Sequence, residues 1–264
     1  NVSKKKKRIK IIIVGGTQNG KTSMICLIYG IDKKDLENAR QKGFGIESDT
    51  TQTKEYEIEK NGIVFVLVDT PGWWDSRGPE QEKANRENFE NYLKENKDID
   101  VIIFVSRCDL PIDQNQQDAI RTFSDRYGNE VWKKTLVVLT YANTISAPLE
   151  YVEYCWNKYY PDKKINPSDK KFKKITLDAW KKYLNEISMV WKNQFRKLSP
   201  DTDIPICPVE NNPLQLQHNR KGEPIYMLRD GTPYLEDLMY HIFLLIDNSK
   251  APIAFLAMAT DIIK

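Results

Sequence analysis

The chain has 264 residues, of which 40% are hydrophobic, so it can bury a full core as one large domain or as one domain with an insertion. Charged residues make up 29% and the formal net charge is +3, which describes an ordinary soluble protein with a slight basic bias. No run approaches the ~18 apolar residues of a membrane span, and the charged N-terminus lacks the apolar core of a signal peptide. The cysteines form no CxxC pair, so the sequence predicts neither a zinc site nor a disulfide framework.

A glycine-bounded loop at residues 15–22 reads GGTQNGKT, after a β-branched run at 9–14 and before an apolar, helix-like run at 23–29. This order is typical of a phosphate-binding loop, in which backbone N–H groups and a helix N-terminus face a polyphosphate. We predict that Lys21 reaches the outer phosphates and that the Thr22 hydroxyl ligates Mg²⁺. The predicted nucleotide contacts in this loop are Gln18, Asn19, Gly20, Lys21, Thr22 and Ser23.

Two strand-like runs follow a polar loop that we predict over residues 31–53. Residues 55–60 alternate between charged and apolar, whereas residues 63–69 are apolar up to the final Asp69. The Asn-Gly pair between them is the strongest short signal of a β-hairpin. We expect the first strand at or near the edge of a sheet and the second at its centre.

Helices and strands alternate along much of the remaining chain. The predicted helices cover residues 80–96, a stretch from Pro111 to about 127, and 234–247, and the predicted strands cover 100–106, 135–140 and 204–209. Prolines favour an edge position for the last strand, and Pro111 suits the first turn of its helix. We predict a three-layer α/β fold, in which helices cover both faces of a mostly parallel sheet with one antiparallel strand on its edge side.

Residues 144–200 interrupt this alternation and are predicted to be a largely helical insertion in a main domain at 9–247. Residues 161–174, rich in Lys, Asp and Pro, indicate a mobile loop. A stripe at helical spacing indicates a packing face rather than a cofactor site. Its members are Leu177, Trp180, Leu184, Ile187, Trp191, Phe195 and Leu198. We also predict a basic arm at 1–8 and a helical extension at 248–264.

A second motif, Asp69-Thr70-Pro71-Gly72, stands at the end of the most apolar predicted strand, where an open parallel sheet places its ligands. An aspartate there can hold Mg²⁺ through water, and the Gly72 N–H can meet the γ-phosphate. Downstream of a phosphate loop, this motif indicates a GTPase rather than a nucleotide kinase.

With these motifs the chain resembles the avirulence-induced and immunity-associated (GIMAP-like) GTPases and the Toc receptor GTPases of the chloroplast envelope, which are septin-related G proteins. Further motifs that carry the resemblance are VSRCD at 105–109, LTYAN at 139–143, ENN at 210–212 and DGT at 230–232. The resemblance implies a P-loop NTPase fold of the Ras-like G domain type that binds GTP or GDP with Mg²⁺. It also implies a switch threonine that closes on Mg²⁺ and the γ-phosphate.

Three threonines, Thr50, Thr51 and Thr53, lie in range for this switch role, and the spacing favours Thr51. The predicted metal ligands are therefore Thr22, Thr51 and Asp69, and the predicted catalytic set is Lys21, Thr51 and Gly72.

The base site departs from the common Asn-Lys-x-Asp pattern, because Asn143 stands where a carboxylate would accept the two guanine donors. An asparagine offers one carbonyl and an NH₂ group of the wrong polarity. The resemblance places Thr140 and Tyr141 at the base, with the Tyr141 ring stacked on it, and implies that Glu210, with Asn211 beside it, supplies the carboxylate. Adenine lacks both donors, so Glu210 would select guanine. Specificity through Asn143 is the alternative.

The sequence predicts slow hydrolysis. Ras-like enzymes carry a glutamine after the glycine motif, whereas this chain has Trp73 and Trp74, which cannot orient water. Toc-type receptors carry an arginine before the next helix that faces the partner subunit, but this chain reads Leu110-Pro111-Ile112. We predict a slow, Mg²⁺-dependent GTPase that acts as a switch or as a scaffold, and a homodimer formed through the nucleotide face.

Two other functions stay open: a GTP-dependent assembly module that hardly hydrolyses, and an RNA- or ribosome-associated GTPase. The basic segments at 4–8 and 163–174 favour the second, but Phe172 is the single aromatic residue within them, so we expect no nucleic-acid partner. We expect the protein in the cytoplasm or on the cytosolic face of an organelle or other membrane, with any membrane contact made through segments outside this chain.

Overall fold

A six-stranded sheet forms the centre of the computed structural model, which describes residues 7–30, 53–60, 63–72, 79–212 and 215–246. Its strands are β1 (Lys7–Gly15), β2 (Lys54–Lys60), β3 (Ile63–Asp69), β4 (Val101–Arg107), β5 (Thr135–Thr140) and β6 (Ile206–Pro208). In space they lie in the order β2-β3-β1-β4-β5-β6. Every pair in this order is parallel except β2 with β3. The predicted mostly parallel sheet with an antiparallel strand at one edge is confirmed.

Six helices surround this sheet in the described part of the chain. They are α1 (Lys21–Tyr29), α2 (Pro79–Glu95), α3 (Gln114–Tyr127), α4 (Leu149–Tyr159), α5 (Phe172–Leu198) and α6 (Tyr234–Leu245). A 3₁₀ turn, Asn129–Lys134, precedes β5, and a separate hairpin joins β7 (Gln217–His218) to β8 (Pro224–Ile225). This hairpin is not among the predicted elements.

Burial along the central strands indicates that helices cover both faces. Successive side chains of a strand point to opposite faces, yet Ile11, Ile12 and Ile13 of β1 are all fully buried. β3 is buried along its whole length as well. Strands of this kind occur where both faces of a parallel sheet are packed, as predicted.

The helix predicted to start at Pro111 begins three residues later, so that detail was wrong. Asp113 is its N-cap, and the carboxylate accepts a hydrogen bond from the Gln116 N–H over 2.8 Å. A capping carboxylate satisfies a backbone donor that the first turn leaves free, which fixes the helix start. The last strand of the sheet is also shorter than predicted, and it lies at the edge as its prolines indicate.

The long helix α5 packs onto the main core. Its predicted stripe is confirmed as a packing face, since Trp180, Trp191 and Phe195 are buried against the sheet and its neighbours. The Phe195 ring lies 5.9 Å from Phe104 of β4 and 5.0 Å from Trp132, measured between ring centroids. Residues 172–174, predicted as loop, belong to this helix.

Several predictions lie outside the described residues, among them the Asn-Gly turn, most of the 31–53 loop and the 248–264 extension. At the other end β1 starts at Lys7, so two residues of the predicted arm belong to the sheet. Arg8 there pairs with Glu57 of the edge strand. None of the described helices is long and apolar enough to cross a membrane.

Candidate functional site

The loop between β1 and α1 holds a lysine ammonium group inside it. Lys21 Nζ donates to the carbonyl oxygens of Gly15, over 3.1 Å, and Gly16, over 2.9 Å, and the side chain is 8% exposed. Gly20 is the N-cap of α1 and provides no side-chain cap, so backbone N–H groups of the first turn are available to an anion. Loop, ammonium and helix N-terminus together suit a polyphosphate, and the contact of Lys21 with the outer phosphates stays a prediction.

Gly20 is required by conformation and by space. It has φ +90°, and a Cβ added there would lie 2.0 Å from Asn211 Nδ2. Asn211 in turn donates to the Gly20 carbonyl oxygen over 3.4 Å, and its own Oδ1 is buried without a hydrogen-bond partner. The structure thus brings Asn211, from the loop after β6, onto the phosphate loop.

Asn19 ties the phosphate loop to two further strands. Its side-chain Nδ2 donates to the Val105 carbonyl oxygen at the end of β4, over 3.1 Å. The backbone carbonyl oxygen of Asn19 accepts a hydrogen bond of 2.9 Å from the Thr140 hydroxyl at the end of β5. These two hydrogen bonds therefore join the loop to β4 and β5 at one edge of the sheet. Of the other predicted contacts in the loop, Gln18 is exposed at φ +62° and Ser23 is half-buried in the first turn of α1.

A hydroxyl and a carboxylate meet at the carboxyl end of β3. Thr22 Oγ1 donates to Asp69 Oδ2 over 3.3 Å, and Asp69 is fully buried. Hard oxygen ligands of this kind suit Mg²⁺, which commonly keeps waters and takes its other ligands from phosphates. The buried hydroxyl of Thr17 nearby has no hydrogen-bond partner, which also fits a site built to receive a polar group. Thr51, the third predicted metal ligand, lies outside the described residues.

Gly72 contacts the phosphate loop directly. A Cβ added at Gly72 would lie 2.2 Å from Thr17 Oγ1, so only glycine fits at this distance. Asn85 of α2 donates from Nδ2 to the Gly72 carbonyl oxygen over 2.8 Å and accepts from Gln81 over 2.8 Å. Asn85 is not among the residues predicted for the site, although its position one helical turn before buried Phe89 places it on the inner face of the helix.

Tyr141 is the residue whose aromatic ring the resemblance predicts to stack on the base. Its φ is +63°, which is uncommon for a bulky residue. The Arg107 guanidinium lies 4.3 Å from the centre of its ring. Arg107 also donates two hydrogen bonds, of 2.9 and 2.7 Å, to the Asp109 carboxylate. These hydrogen bonds are the main reason why the pKa of the Asp109 carboxyl is lowered.

Glu210 and Asn143, the two candidate base readers, hold backbone groups. Glu210 is fully buried; Oε2 accepts from the Asn143 N–H over 2.8 Å and Oε1 from the Asn212 N–H over 2.6 Å. The Asn143 side chain donates to the Met227 carbonyl oxygen and accepts from the Arg229 N–H. Burial raises the pKa of the Glu210 carboxyl, and these backbone donors act in the opposite direction. A direct contact of either side chain with a base stays a prediction.

Comparison with protein-family models gives a match over more than half of the chain. The model of the AIG1 family matches residues 9–162, which include the phosphate loop, the Asp69 motif and the Tyr141 loop.

Known proteins agree with this match. GTP-binding protein A of Dictyostelium discoideum is 26% identical over 242 residues, which are 91% of this chain and 49% of that protein, so the chain spans about half of its length. The fold is similar to that of Toc33 from Arabidopsis thaliana in complex with Mg²⁺ and GMPPNP, with a TM-score of 0.61 and 19% identity over 89% of this chain and 83% of that one.

A further Toc structure belongs to work stating that dimerization is important for the GTPase activity of the chloroplast translocon components atToc33 and psToc159. It has a TM-score of 0.58 and 18% identity, and the match covers 92% of this chain and 84% of that one. Together these structures show a P-loop G domain fold.

Proposed function

Because the chain belongs to the AIG1 family, we propose that it is a G domain that binds GTP or GDP with Mg²⁺ and hydrolyses GTP slowly. The observation that carries this proposal is that Lys21, held in the loop by the Gly16 carbonyl oxygen, is followed directly by Thr22, whose hydroxyl bonds to Asp69 at the end of β3. Lys21 exchanges its two carbonyl acceptors for the outer phosphates. Thr22 and Asp69 hold the metal, which neutralises phosphate charge when it is bound.

Gly72 and the switch threonine complete the phosphate end of the proposed site. The Gly72 N–H meets the γ-phosphate, in line with its packing on Thr17. Thr51 is the proposed third metal ligand. Because both groups contact the γ-phosphate, which GDP lacks, they distinguish GTP from GDP.

Guanine selection is proposed for the opposite end of the site. The base stacks on Tyr141, and Glu210 accepts its two donors. A carboxylate oxygen that already accepts one N–H retains a second lone pair, so Glu210 can hold the loops and read a base together. Because the side chain is fully buried, direct contact with a base requires the residues that cover Glu210 to move.

The proposed hydrolysis is slow because two catalytic parts are missing. Trp73 replaces the water-orienting glutamine, and the segment Leu110-Pro111-Ile112 has no arginine that could reach a partner's nucleotide. An arginine finger is worth about 10³ to 10⁵ in rate. We therefore expect a rate at or below that of an unassisted small G protein.

The active form is proposed to be a homodimer that meets through the nucleotide face. One support is that dimerization is important for the GTPase activity of atToc33 and psToc159. The other is Leu110, an exposed apolar side chain that follows the Arg107–Asp109 pair in the sequence. The alternative is an assembly module, in which bound GTP orders the same interface and is hardly hydrolysed.

Single-turnover hydrolysis at low and high protein concentration tests these proposals. If the dimer assists the reaction, phosphate release per molecule rises with protein concentration. An equal slow rate at both concentrations supports a switch without mutual activation. If GTP is tightly bound and no phosphate is released at either concentration, the proposal of a GTPase is contradicted. The assembly module is then the function that remains.

The proposed location is the cytosol, including the cytosolic face of a membrane that is reached through segments outside this chain. Co-sedimentation with vesicles of anionic lipid tests this proposal, and the chain should remain in the supernatant. Retention on vesicles at physiological salt would contradict it and would make the basic segments the membrane contact.

A further inference from the structure

Arg107 lies against the ring that receives the base. It is the last residue of β4, and its backbone pairs in register with Thr140, the last residue of β5. Tyr141 is the next residue, so the two side chains emerge at the same edge of the sheet. The guanidinium lies 4.3 Å from the ring centre, well inside the distance for a cation–π contact.

Asp109 fixes the position of that guanidinium. Arg107 Nε donates to Oδ1 over 2.9 Å and Nη2 donates to Oδ2 over 2.7 Å, which is the two-point pairing that orients an arginine plane. About a quarter of each side chain is exposed, so the pair lies partly out of water. An arginine held at two points covers one face of the ring in a defined position.

The backbone of Tyr141 is held as firmly as its ring. A left-handed conformation in a bulky residue persists only where the surroundings impose it, and such residues cluster at functional sites. Here the Ala142 N–H donates to the Val209 carbonyl oxygen over 3.1 Å, and the Thr144 N–H donates to the carbonyl oxygen of Tyr141 over 3.0 Å. Fold and ion pair together orient one aromatic ring.

We propose that Arg107 is a positioning residue for the nucleotide base: held by Asp109, it fixes the Tyr141 ring so that the ring's other face stacks on a purine. This inference rests on the proposed nucleotide site and adds a residue that none of the predicted contacts includes. Arg107 acts through Tyr141. The phosphate loop is held by a different contact, from Asn19 Nδ2 to the Val105 carbonyl oxygen, so we expect loss of Arg107 to affect the base end of the site.

Calorimetric titration with GDP and with inorganic tripolyphosphate, both with Mg²⁺, tests the proposal. Arg107→Ala should weaken GDP binding about tenfold and leave tripolyphosphate binding unchanged, because one cation–π contact and one ordered ring are lost. Arg107→Lys keeps the charge but not the two-point pairing and should give a smaller loss. Arg121→Ala, at an exposed arginine of α3, is the matched control and should change neither.

A double-substitution cycle separates positioning from a general structural effect. Tyr141→Leu should weaken GDP binding, and adding Arg107→Ala to it should cause little further loss, since both substitutions remove one stacking unit. Additive losses would overturn the inference, as would an equal loss of GDP and tripolyphosphate binding.

The two proposals fail in different ways. If the unsubstituted chain binds GDP and Arg107→Ala binds it equally well, the inference fails and the proposed function stands. If the unsubstituted chain binds neither GDP nor tripolyphosphate, both fail. Thermal melting of each variant confirms that it is folded.

Discussion

Asn85 of α2 donates a hydrogen bond to the Gly72 carbonyl oxygen over 2.8 Å and is fully buried. It joins a helix to the loop whose glycine packs on the phosphate loop at Thr17. If Gly72 moves toward a γ-phosphate as proposed, we expect this hydrogen bond to transmit the movement to α2.

Asn85→Ala should break this connection. The Gly72 carbonyl would lose a buried donor, which costs about 1 to 3 kcal/mol of unfolding free energy. The ratio of GTP to GDP affinity should fall, because the loop that distinguishes them is no longer fixed. Urea unfolding and calorimetry measure the two effects. Asn91→Ala, at an exposed position of the same helix, should change neither, and an unchanged GTP to GDP ratio in Asn85→Ala would contradict the coupling.

Gly20→Ala should abolish nucleotide binding. The new Cβ would meet Asn211 at 2.0 Å and would also be strained at φ +90°. Gly30→Ala separates these causes, because Gly30 has φ +66° and nothing within 4 Å of an added Cβ. It should lower the unfolding free energy by about 1 to 2 kcal/mol and leave nucleotide affinity unchanged. If Gly20→Ala binds GDP normally, the close approach of Asn211 is not part of the site.

Asp109→Asn should lower stability near neutral pH. The hydrogen bond from Arg107 lowers the pKa of Asp109 in the folded chain, so the ion pair contributes above the unfolded pKa, near 4, and is lost as the pH falls through the folded pKa. We expect a difference of about 1 kcal/mol at pH 7. This difference between the two proteins should shrink below about pH 4. A difference that is independent of pH, measured by urea unfolding, would contradict the ion pair as its cause.

Glu210→Gln tests guanine selection. Competition between GDP and ADP should show a loss of guanine preference of about tenfold or more, because the amide no longer accepts both base donors. Tripolyphosphate affinity should stay the same, and Glu130→Gln, at an exposed glutamate, should have no effect. Unchanged preference in Glu210→Gln would move specificity to the alternative, Asn143.

The positions of Lys21, Thr22 and Asp69 in the fold were predictable because their signals are local. Lys21 and Thr22 follow a strand and open a helix, and Asp69 ends a strand, so short patterns place all three. The roles of Asn85 and Arg107 could not be predicted from short patterns. Asn85 contacts Gly72 and Arg107 contacts Tyr141, which belong to other parts of the fold, and both contacts depend on the direction in which a side chain points. Pro111 shows the same limit within one loop, since the nearby Asp113 carboxylate determines where the helix starts.

Binding of GDP and a non-hydrolysable GTP analogue with Mg²⁺, measured by calorimetry on the unsubstituted chain and on Lys21→Ala, tests the central claim most directly. Lys133→Ala, at an exposed lysine, is the control. The proposed site predicts one nucleotide per chain, with affinity lowered about a hundredfold or more in Lys21→Ala, because charge-assisted hydrogen bonds to the phosphates are lost, and unchanged in the control. Equal affinity in Lys21→Ala and the unsubstituted chain, or no binding by the unsubstituted chain, would contradict it.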